Sequence, residues 1–502
     1  MQTYYYNLSG GINFSSTKTE LGLDTKNIFW SDSENVEILQ NRGVIRQKGN
    51  VKLLNLPSNE EILALQELKY GSKSRLVIIT KVGSLYVYNS DIDKLTKLDK
   101  TINVSKKISF AKYLDGLLIC SDANELLFLQ NDEDLTIKSC NLKNNTDEDI
   151  CSNIVAVYKG RVWAAKDSTL YYSALGKCDD FETSNDAGYI NNFYTDADKI
   201  VALKPYKDYL AIYKEKSVYL LSGSTPEDFA IIPFADKGTY SNESVVNVNN
   251  KQYFFTDGIY PLEVGTLNQI MIGESISHKI KKEFEKFDKN NLDKVFALHY
   301  EEKNQVWYFI PYSNNDYFNI IWINDYVNKA WYKRVLPQNI TSACLYDDKI
   351  YTADNEGNIY IEDMGNSFDG EPIKFLWKSP FLSLGNPSVR KSIDEFYFIL
   401  DETYENNFIF SVYKNFDSEN RDDVEEIYST NFENMHWSTN SKNLNDTWDS
   451  DENLSLWSVS ADTMYKAEIS EANYAVQLCV EGSTLAHSVA IIGIEFKEIY
   501  TE

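Results

Sequence analysis

An all-β fold is predicted for this chain of 502 residues, and three observations predict it. First, a unit of short β runs and polar turns returns from about Ile62 to Asp363. In one copy Ile154-Val-Ala-Val, Val162-Trp-Ala-Ala and Leu170-Tyr-Tyr-Ser precede Asp180-Phe181. In the next, Ile200-Val-Ala-Leu, Tyr209-Leu-Ala-Ile-Tyr and Val218-Tyr-Leu-Leu-Ser precede Asp228-Phe229. Second, the apolar pair in the third run of each unit keeps a period. It falls at Leu85-Tyr86, Leu126-Leu127, Leu170-Tyr171, Val218-Tyr219, Ile259-Tyr260, Ile321-Trp322 and Ile359-Tyr360, with steps of 41, 44, 48, 41, 62 and 38 residues. Third, 35 Tyr, 25 Phe and 9 Trp enrich the chain in residues that favour strands. Repeats of about 40 to 50 residues built only of strands indicate a β-propeller, each repeat one four-stranded blade. In Val218-Tyr219-Leu220-Leu221 both alternation classes are apolar, so both faces are covered, as they are between stacked blades. The expectation is a propeller of six or seven blades over 59–368, preceded by an N-terminal arm and β-hairpin over 1–58. A C-terminal β-sandwich-like domain should occupy 369–502.

Within the arm, Asn7-Leu-Ser-Gly10-Gly11-Ile-Asn13 is polar and glycine-rich and reads as extended chain. Ser33-Glu-Asn35-Val-Glu-Ile-Leu39 reads as a strand and Asn41-Arg-Gly43 as a turn, with Gly43 supplying a positive φ. Val44-Ile-Arg46-Gln-Lys48-Gly49 then pairs back as a hairpin. The next stretch, Val51 to Leu56, has an alternative place as the strand that completes the last blade.

Among the repeats, the long step of 62 residues contains Ile276, Ile280, Phe284 and Phe287 with charges between them. That spacing predicts a helix of about three turns, either a cap on the ring face or an element that docks a neighbouring subunit. Beyond Asp369-Gly370-Glu371-Pro372 the strands lengthen, and Phe396 to Leu400 and Phe408 to Val412 suit a hairpin pair. Between Asp417 and Met464 lies a polar stretch holding Trp437, Trp448 and Trp457. Tryptophans in so long a polar segment serve as core anchors, glycan platforms or contact anchors for another chain.

The net charge of −26 argues against general affinity for nucleic acid, because carboxylates repel phosphate. Six cysteines, Cys120, Cys140, Cys151, Cys178, Cys344 and Cys479, form no Cys-x-x-Cys pair, and the four histidines are scattered. Reduced, mostly buried thiols are expected, with no metal and no cofactor. Neither a basic-then-apolar leader nor an apolar run of membrane length is present, so a chain without signal peptide or spanning segment is expected. No nucleophile elbow, zinc-protease motif or phosphate loop occurs, and no catalytic residues are assigned. Asp354-Asn-Glu-Gly357-Asn-Ile-Tyr360 resembles a calcium loop but lacks its closing acidic residue, and reads instead as a blade turn.

A family resemblance adds to this. Gly10-Gly11-Ile-Asn13, Glu34-Asn35-Val-Glu37 and Gly43-Val-Ile-Arg46-Gln-Lys48-Gly49 are similar, in order and spacing, to the opening of β-propeller tail proteins of short-tailed bacteriophages. That family is variously called nozzle, hub, ring or packaged-DNA stabilisation proteins. Ser173-Ala-Leu-Gly176 with Asp180-Phe181, and Tyr213-Lys-Glu-Lys-Ser217-Val-Tyr219 with Asp228-Phe229, Gly238, Ser244-Val-Val246 and Thr256-Asp-Gly258-Ile-Tyr260, extend the likeness over most of 7–262. Arg46-Gln-Lys48-Gly49 departs from the family's usual basic-pair ending. The resemblance implies a non-enzymatic virion protein, assembled in the bacterial cytoplasm. It would form a ring, usually sixfold in that family, that continues the DNA channel below portal and adaptor and helps retain and release the genome. Its partners would be its own copies, the portal or adaptor, other tail parts, fibres, and DNA passing without sequence-specific binding. Assembly contacts are then expected at Gly10, Gly11, Asn13, Asn35, Gly43, Arg46, Lys48, Gly49, Trp437, Trp448 and Trp457. The alternative is a receptor- or glycan-binding propeller at a particle or cell surface, which needs an exposed aromatic platform. A cytoplasmic interaction scaffold stands third.

Overall fold

The computed structural model describes residues 3–21, 28–40, 42–104, 108–143, 148–191, 198–265, 269–313, 315–401, 404, 406–429, 463–485 and 489–501. The three tryptophans of the polar stretch lie outside them. The chain is all-β and divides into two units. One comprises 52–323 and 336–362; the other gathers 1–51, 324–335 and 363–502.

The first of these units is the propeller. Its blades follow in chain order, each an antiparallel meander. Blade 1 is Ile62–Tyr70, Lys73–Thr80, Ser84–Asn89 and Lys94–Thr101. Blade 2 is Ile108–Tyr113, Gly116–Ser121, Asn124–Gln130 and Ile137–Ser139. Blade 3 is Ile154–Tyr158, Arg161–Lys166, Thr169–Tyr172 and Gly188–Ile190; blade 4 is Ile200–Tyr206, Tyr209–Lys214, Val218–Ser222 and Ala230–Ala235. Blade 5 is Val246–Val248, Lys251–Phe255, Ile259–Val264 and Ile270–Ile272. Phe296–Tyr300, Gln305–Phe309 and Ile320–Asp325 lead blade 6. Blade 7 is Ile340–Tyr346, Lys349–Asp354 and Asn358–Glu362, completed by Asn50–Asn55 from before the first blade. Every one of the seven periodic pairs lies on the third strand of its blade.

Seams between blades are filled as two-sided burial requires. Ile154, Trp163 and Leu170 of blade 3 meet Leu203, Ile212 and Tyr219 of blade 4. Val218 and Leu220, on the other face of the same strand, meet Phe254 and Leu262 of blade 5. Blades 7 and 1 close the ring through Tyr351, Ala353 and Ile359 against Ile62, Ile78 and Tyr86, with Leu56 buried among them.

The segment at 276–287 departs from the expected α-helix. Residues His278–Glu285 form tight 3₁₀ turns, interrupted at Ile280 (φ −108°, ψ 15°). The segment is pinned at both ends: Ile276 N donates to Ile259 O (3.0 Å) and Asp288 N to Pro311 O (2.8 Å). Its apolar spacing still seats Ile280 and Phe287 in the interior. Two 3₁₀ turns place them without an α-helical ladder. Asp354 caps the turn between the last two strands of its meander. Its Oδ1 accepts from Glu356 N and Asn358 N (both 2.9 Å), and Oδ2 accepts from Tyr360 Oη (3.0 Å).

The second unit holds two sheets. In one, Val36–Leu39, Gly43–Arg46, Ala490–Thr501, Lys391–Leu400 and Thr463–Ala467 lie in that order, with Tyr4–Tyr6 also on Ala490–Thr501. In the other, Glu371–Lys378, Val476–Thr484, Asn406–Lys414 and Arg421–Ser429 are neighbours, and Asp32–Glu34 pairs with Glu371–Lys378. Two expectations are corrected here. The N-terminal segment does not stand apart from the C-terminal strands: it supplies strands to both sheets, and its end enters blade 7. Nor are Phe396–Leu400 and Phe408–Val412 a hairpin; their strands lie in opposite sheets. Phe396 stacks on Phe410 at 5.4 Å, and Phe398 meets Phe408 and Phe410 edge-on. Alternating aromatics that read as two partners of one ladder are instead two faces of one core.

The predicted hairpin is present, Val36 opposite Arg46 and Leu39 opposite Gly43. Its positive φ falls on Gln40 (48°), not on Gly43. Gly43 is required by crowding, since a Cβ there would sit 2.4 Å from Ile491 O. Among the described residues no helix is long and apolar enough to cross a membrane.

Candidate functional site

In the second unit, the turn at Gln47 to Gly49 from the N-terminal resemblance is bonded to one side chain, Arg334. Arg334 is 1% exposed. Its Nη1 donates to Lys48 O (2.7 Å) and Gln47 Oε1 (3.3 Å), and its Nη2 to Gly49 O (2.9 Å). The guanidinium also lies over the Phe368 ring at 5.0 Å. A planar fork of donors suits three acceptors on one bend of chain, where a lysine would not. Gly49 permits the bend: a Cβ there would lie 1.8 Å from Ser367 O. Asn35 occupies a left-handed position (φ 52°), which Asn tolerates. Its side-chain Oδ1 accepts from Val335 N (2.7 Å), while Nδ2 donates to Val335 O (3.1 Å) and Lys374 O (2.8 Å). Arg46 is buried, its Nη2 3.4 Å from Asn366 Oδ1, and burial lowers its pKa to about 10. Burial also opposes the charge on Lys333, but Asp32 (3.1 Å) and Glu34 (3.2 Å) hold its pKa above the usual value.

Gly10, Gly11 and Asn13 are likewise interior. Gly10 N donates to Ile28 O (3.1 Å), Trp30 N to Gly11 O (2.7 Å), and Asn13 Oδ1 accepts from Ser15 N (2.9 Å). Of the eight described residues expected at assembly contacts, only Lys48 is exposed; the other seven are buried within their own chain. The sequence reading did not mark Arg334, Lys333 or Asp32. Two adjacent cations inside Ala330-Trp-Tyr-Lys-Arg-Val335, otherwise apolar and aromatic, were the available signal.

The propeller unit carries a second feature. The first strands of blades 1, 2, 6 and 7, with the turn Asn242–Ser244, line a cavity of about 910 Å³. Glu61, Glu67, Glu243, Asp293, Asp316 and Asp348 outnumber Lys81, Lys112 and Lys294 on its wall, so the cavity is acidic. Phe110, Phe296 and Tyr317 add half-buried aromatic surface. Glu67 Oε2 accepts from Lys112 Nζ (2.7 Å), and Oε1 from Ser74 Oγ (3.1 Å) and Asp347 N (3.2 Å). Burial pushes the Glu67 pKa up, but Lys112, Asp347 N–H and Lys69 together hold it below the usual carboxylate range. Hydroxyls and amides on the inner strands stitch neighbouring blades: Ser342 Oγ accepts from Leu65 N (3.2 Å) and Asn242 Oδ1 from Leu203 N (3.1 Å). Asn242 Nδ2 also donates to Ser109 Oγ (3.1 Å). Ser109 is in blade 2 and Asn242 directly precedes blade 5, so this bond crosses the middle of the ring. It leaves no through-passage for a duplex there. Among the described residues no group of three or more His, Cys, Asp or Glu is placed to hold a metal.

No family model and no curated protein matches the chain. Solved structures are similar over about three-fifths of it. The WD40 β-propeller domain of Doa1 is similar at 10% identity and TM-score 0.40, covering 62% of this chain and 96% of that one. The computationally designed Ika8 protein gives 12% and 0.39 over 63% and 99%. A chain of the mitotic checkpoint complex gives 13% and 0.42 over 63% and 93%. The fold rests on the strand order above, and these likenesses add nothing about function.

Proposed function

We propose that the chain is a non-enzymatic structural protein of a short-tailed phage tail, a ring subunit that helps continue the DNA channel and hold and release the genome. One observation carries this reading. The residues of the N-terminal resemblance, Asn35 and Gln47 to Gly49 above all, are bonded to Arg334, Val335 and Lys374 in the interior of one unit. A motif whose residues each hold the fold reflects a shared architecture better than a chance run of glycines. The propeller supplies a rigid body for a ring, a binding or structural role that its fold suits. The bond across the middle of its ring requires the DNA channel to be formed between copies and not through any one propeller. The buried motif residues leave Lys48 and the segment with Trp437, Trp448 and Trp457 as the remaining proposed contacts with other copies, portal or adaptor, and fibres. Electron microscopy of the purified protein and of intact particles tests the proposal. Sixfold rings on a channel axis support it; a monomer at every concentration, with the chain absent from tails, overturns it.

A second reading is a receptor- or glycan-binding propeller, favoured by the acidic, partly aromatic cavity. Tyr317→Ala would then abolish retention on immobilised glycans without changing the unfolding midpoint, whereas a tail subunit shows no such retention.

A further inference from the structure

The outermost strands of the blades differ in chemistry. In blade 1 that strand is Lys94-Leu-Thr-Lys97-Leu-Asp-Lys100-Thr101, three lysines against one aspartate. Blade 2 follows with Ile137-Lys138-Ser139. In blades 3, 4 and 5 the outermost strands are Gly188-Tyr-Ile190, Ala230-Ile-Ile-Pro-Phe-Ala235 and Ile270-Met-Ile272, which carry no charged residue. Each still turns a large apolar side chain to solvent: Tyr189 is 43% exposed, Ile232 54% and Met271 46%. Around them the seams run apolar out to the rim. Ile190 and Ile231, half-buried, pack on the core between blades 3 and 4, and Phe234, Ile270 and Ile272 on that between blades 4 and 5. An outermost strand leaves one row of backbone donors and acceptors unpaired, and lysine is a common guard against a second strand. Blade 1 has that guard and blades 3 to 5 lack it. Pro233 removes one donor from the edge of blade 4, which blocks a continuous added ladder but leaves the apolar side chains open to contact.

We propose that the uncharged rim of blades 3 to 5 docks on the basic rim of blades 1 and 2 of a second copy of this chain, head to tail. This rests on the ring reading proposed above and names the surfaces that join its copies. Charge selects the occupant. At −26 per copy the molecules repel, and the repulsion is least where the facing strands carry no carboxylate. The exposed carboxylates Glu227, Asp236 and Glu274 border the uncharged rim and need a basic counterpart. Lys94, Lys97 and Lys138 supply one, exposed on adjacent outermost strands, whereas Lys100 is already 2.9 Å from Glu125. Leu95 and Leu98 stand half-buried between the lysines and give Ile232 and Met271 an apolar surface to meet. Such a contact has an apolar centre and a charged border, as specific interfaces do. Because the two rims differ, each copy offers one of each and the contact is heterologous. They lie two to three blades apart around seven, not opposite, so successive copies turn and close a ring in place of a straight filament.

The test is sedimentation velocity of the full chain over a concentration series. Wild type should assemble. Ile232→Glu should raise the apparent dissociation constant about tenfold or more, and so should Lys94→Glu combined with Lys97→Glu. All three side chains are exposed, so the thermal midpoint of the monomer should not move; if Ile232→Glu does not fold, Met271→Glu takes its place. Mixing the two defective proteins then separates this contact from any other. The intact basic rim of one should meet the intact uncharged rim of the other, giving a dimer and nothing larger. The interface is overturned, with the ring reading left standing, if both variants assemble as wild type does or if their mixture stays monomeric. A wild type that is monomeric at every concentration overturns the interface and the ring reading together.

Discussion

Arg334 joins the turn at Gln47 to Gly49 to the rest of its unit through three hydrogen bonds. Arg334→Met removes the donors to Lys48 O and Gln47 Oε1 and one donor to the buried Gly49 O. It should cost about 3 kcal/mol or more, read from the urea midpoint of that unit's transition. Arg334→Lys should recover little, because one ammonium cannot reach three divergent acceptors. Glu67 gives a pH prediction. Its folded pKa lies below the ordinary carboxylate value, so the unfolded state binds the proton more readily. Its stabilisation is present above the unfolded pKa, near 4.3, and is lost as pH falls through the lower folded value. The urea midpoint of the propeller should therefore fall on acidification through this window in the wild type, and fall less in Glu67→Gln. Equal slopes would mean that Lys112 and Asp347 N–H confer no preference for the charged form.

At the scale of the element, the third strand of each blade was legible because it is buried on both faces. Seven apolar pairs, 38 to 48 residues apart save for one step of 62, all fall on it. The closing strand Asn50–Asn55 was half legible: its residues read as a strand, but its partner Asn358–Glu362 lies about 300 residues on, and no local pattern encodes so distant a pairing. The same limit explains the mistaken hairpin at Phe396 and Phe408, where period-two aromatics specify a buried face without saying whose. In the candidate site, Asn35 and Gly49 were visible as residues. Their partners Arg334 and Val335 were not, because side-chain bonds across such separations leave no spacing to read. Two substitutions test these elements. Val218→Asp places a carboxylate between blades 4 and 5, costs several kcal/mol and should leave no soluble folded propeller. Leu56→Ala should destabilise by about 2–5 kcal/mol, since Leu56 fills the seam of blades 7 and 1. An unchanged thermal midpoint for Leu56→Ala would show that ring closure does not depend on the N-terminal strand.

For the whole molecule, if the proposed tail role holds, the net charge of −26 bears on how DNA would pass. A cationic channel wall would release counterions at each phosphate and hold the genome back, whereas carboxylates gain nothing from contact. Repulsion is screened beyond about 8 Å at physiological salt. Purified protein should therefore give no salt-dependent retardation of duplex DNA in a gel; tight, salt-sensitive binding would remove the passive-conduit mechanism while leaving the propeller intact. The closing strand also sets a schedule for synthesis. Asn50–Asn55 leaves the ribosome before any blade, yet its ladder partner is made about 300 residues later, roughly 15–60 s at ordinary elongation rates. Until then the nascent ring stays open, with the flank of blade 1 uncovered. Loop-closure entropy grows only logarithmically with length, so the delay adds little to the thermodynamic cost of closure. Its effect is kinetic: an exposed strand edge persists throughout translation, and the last blade to emerge is the one that shields the first.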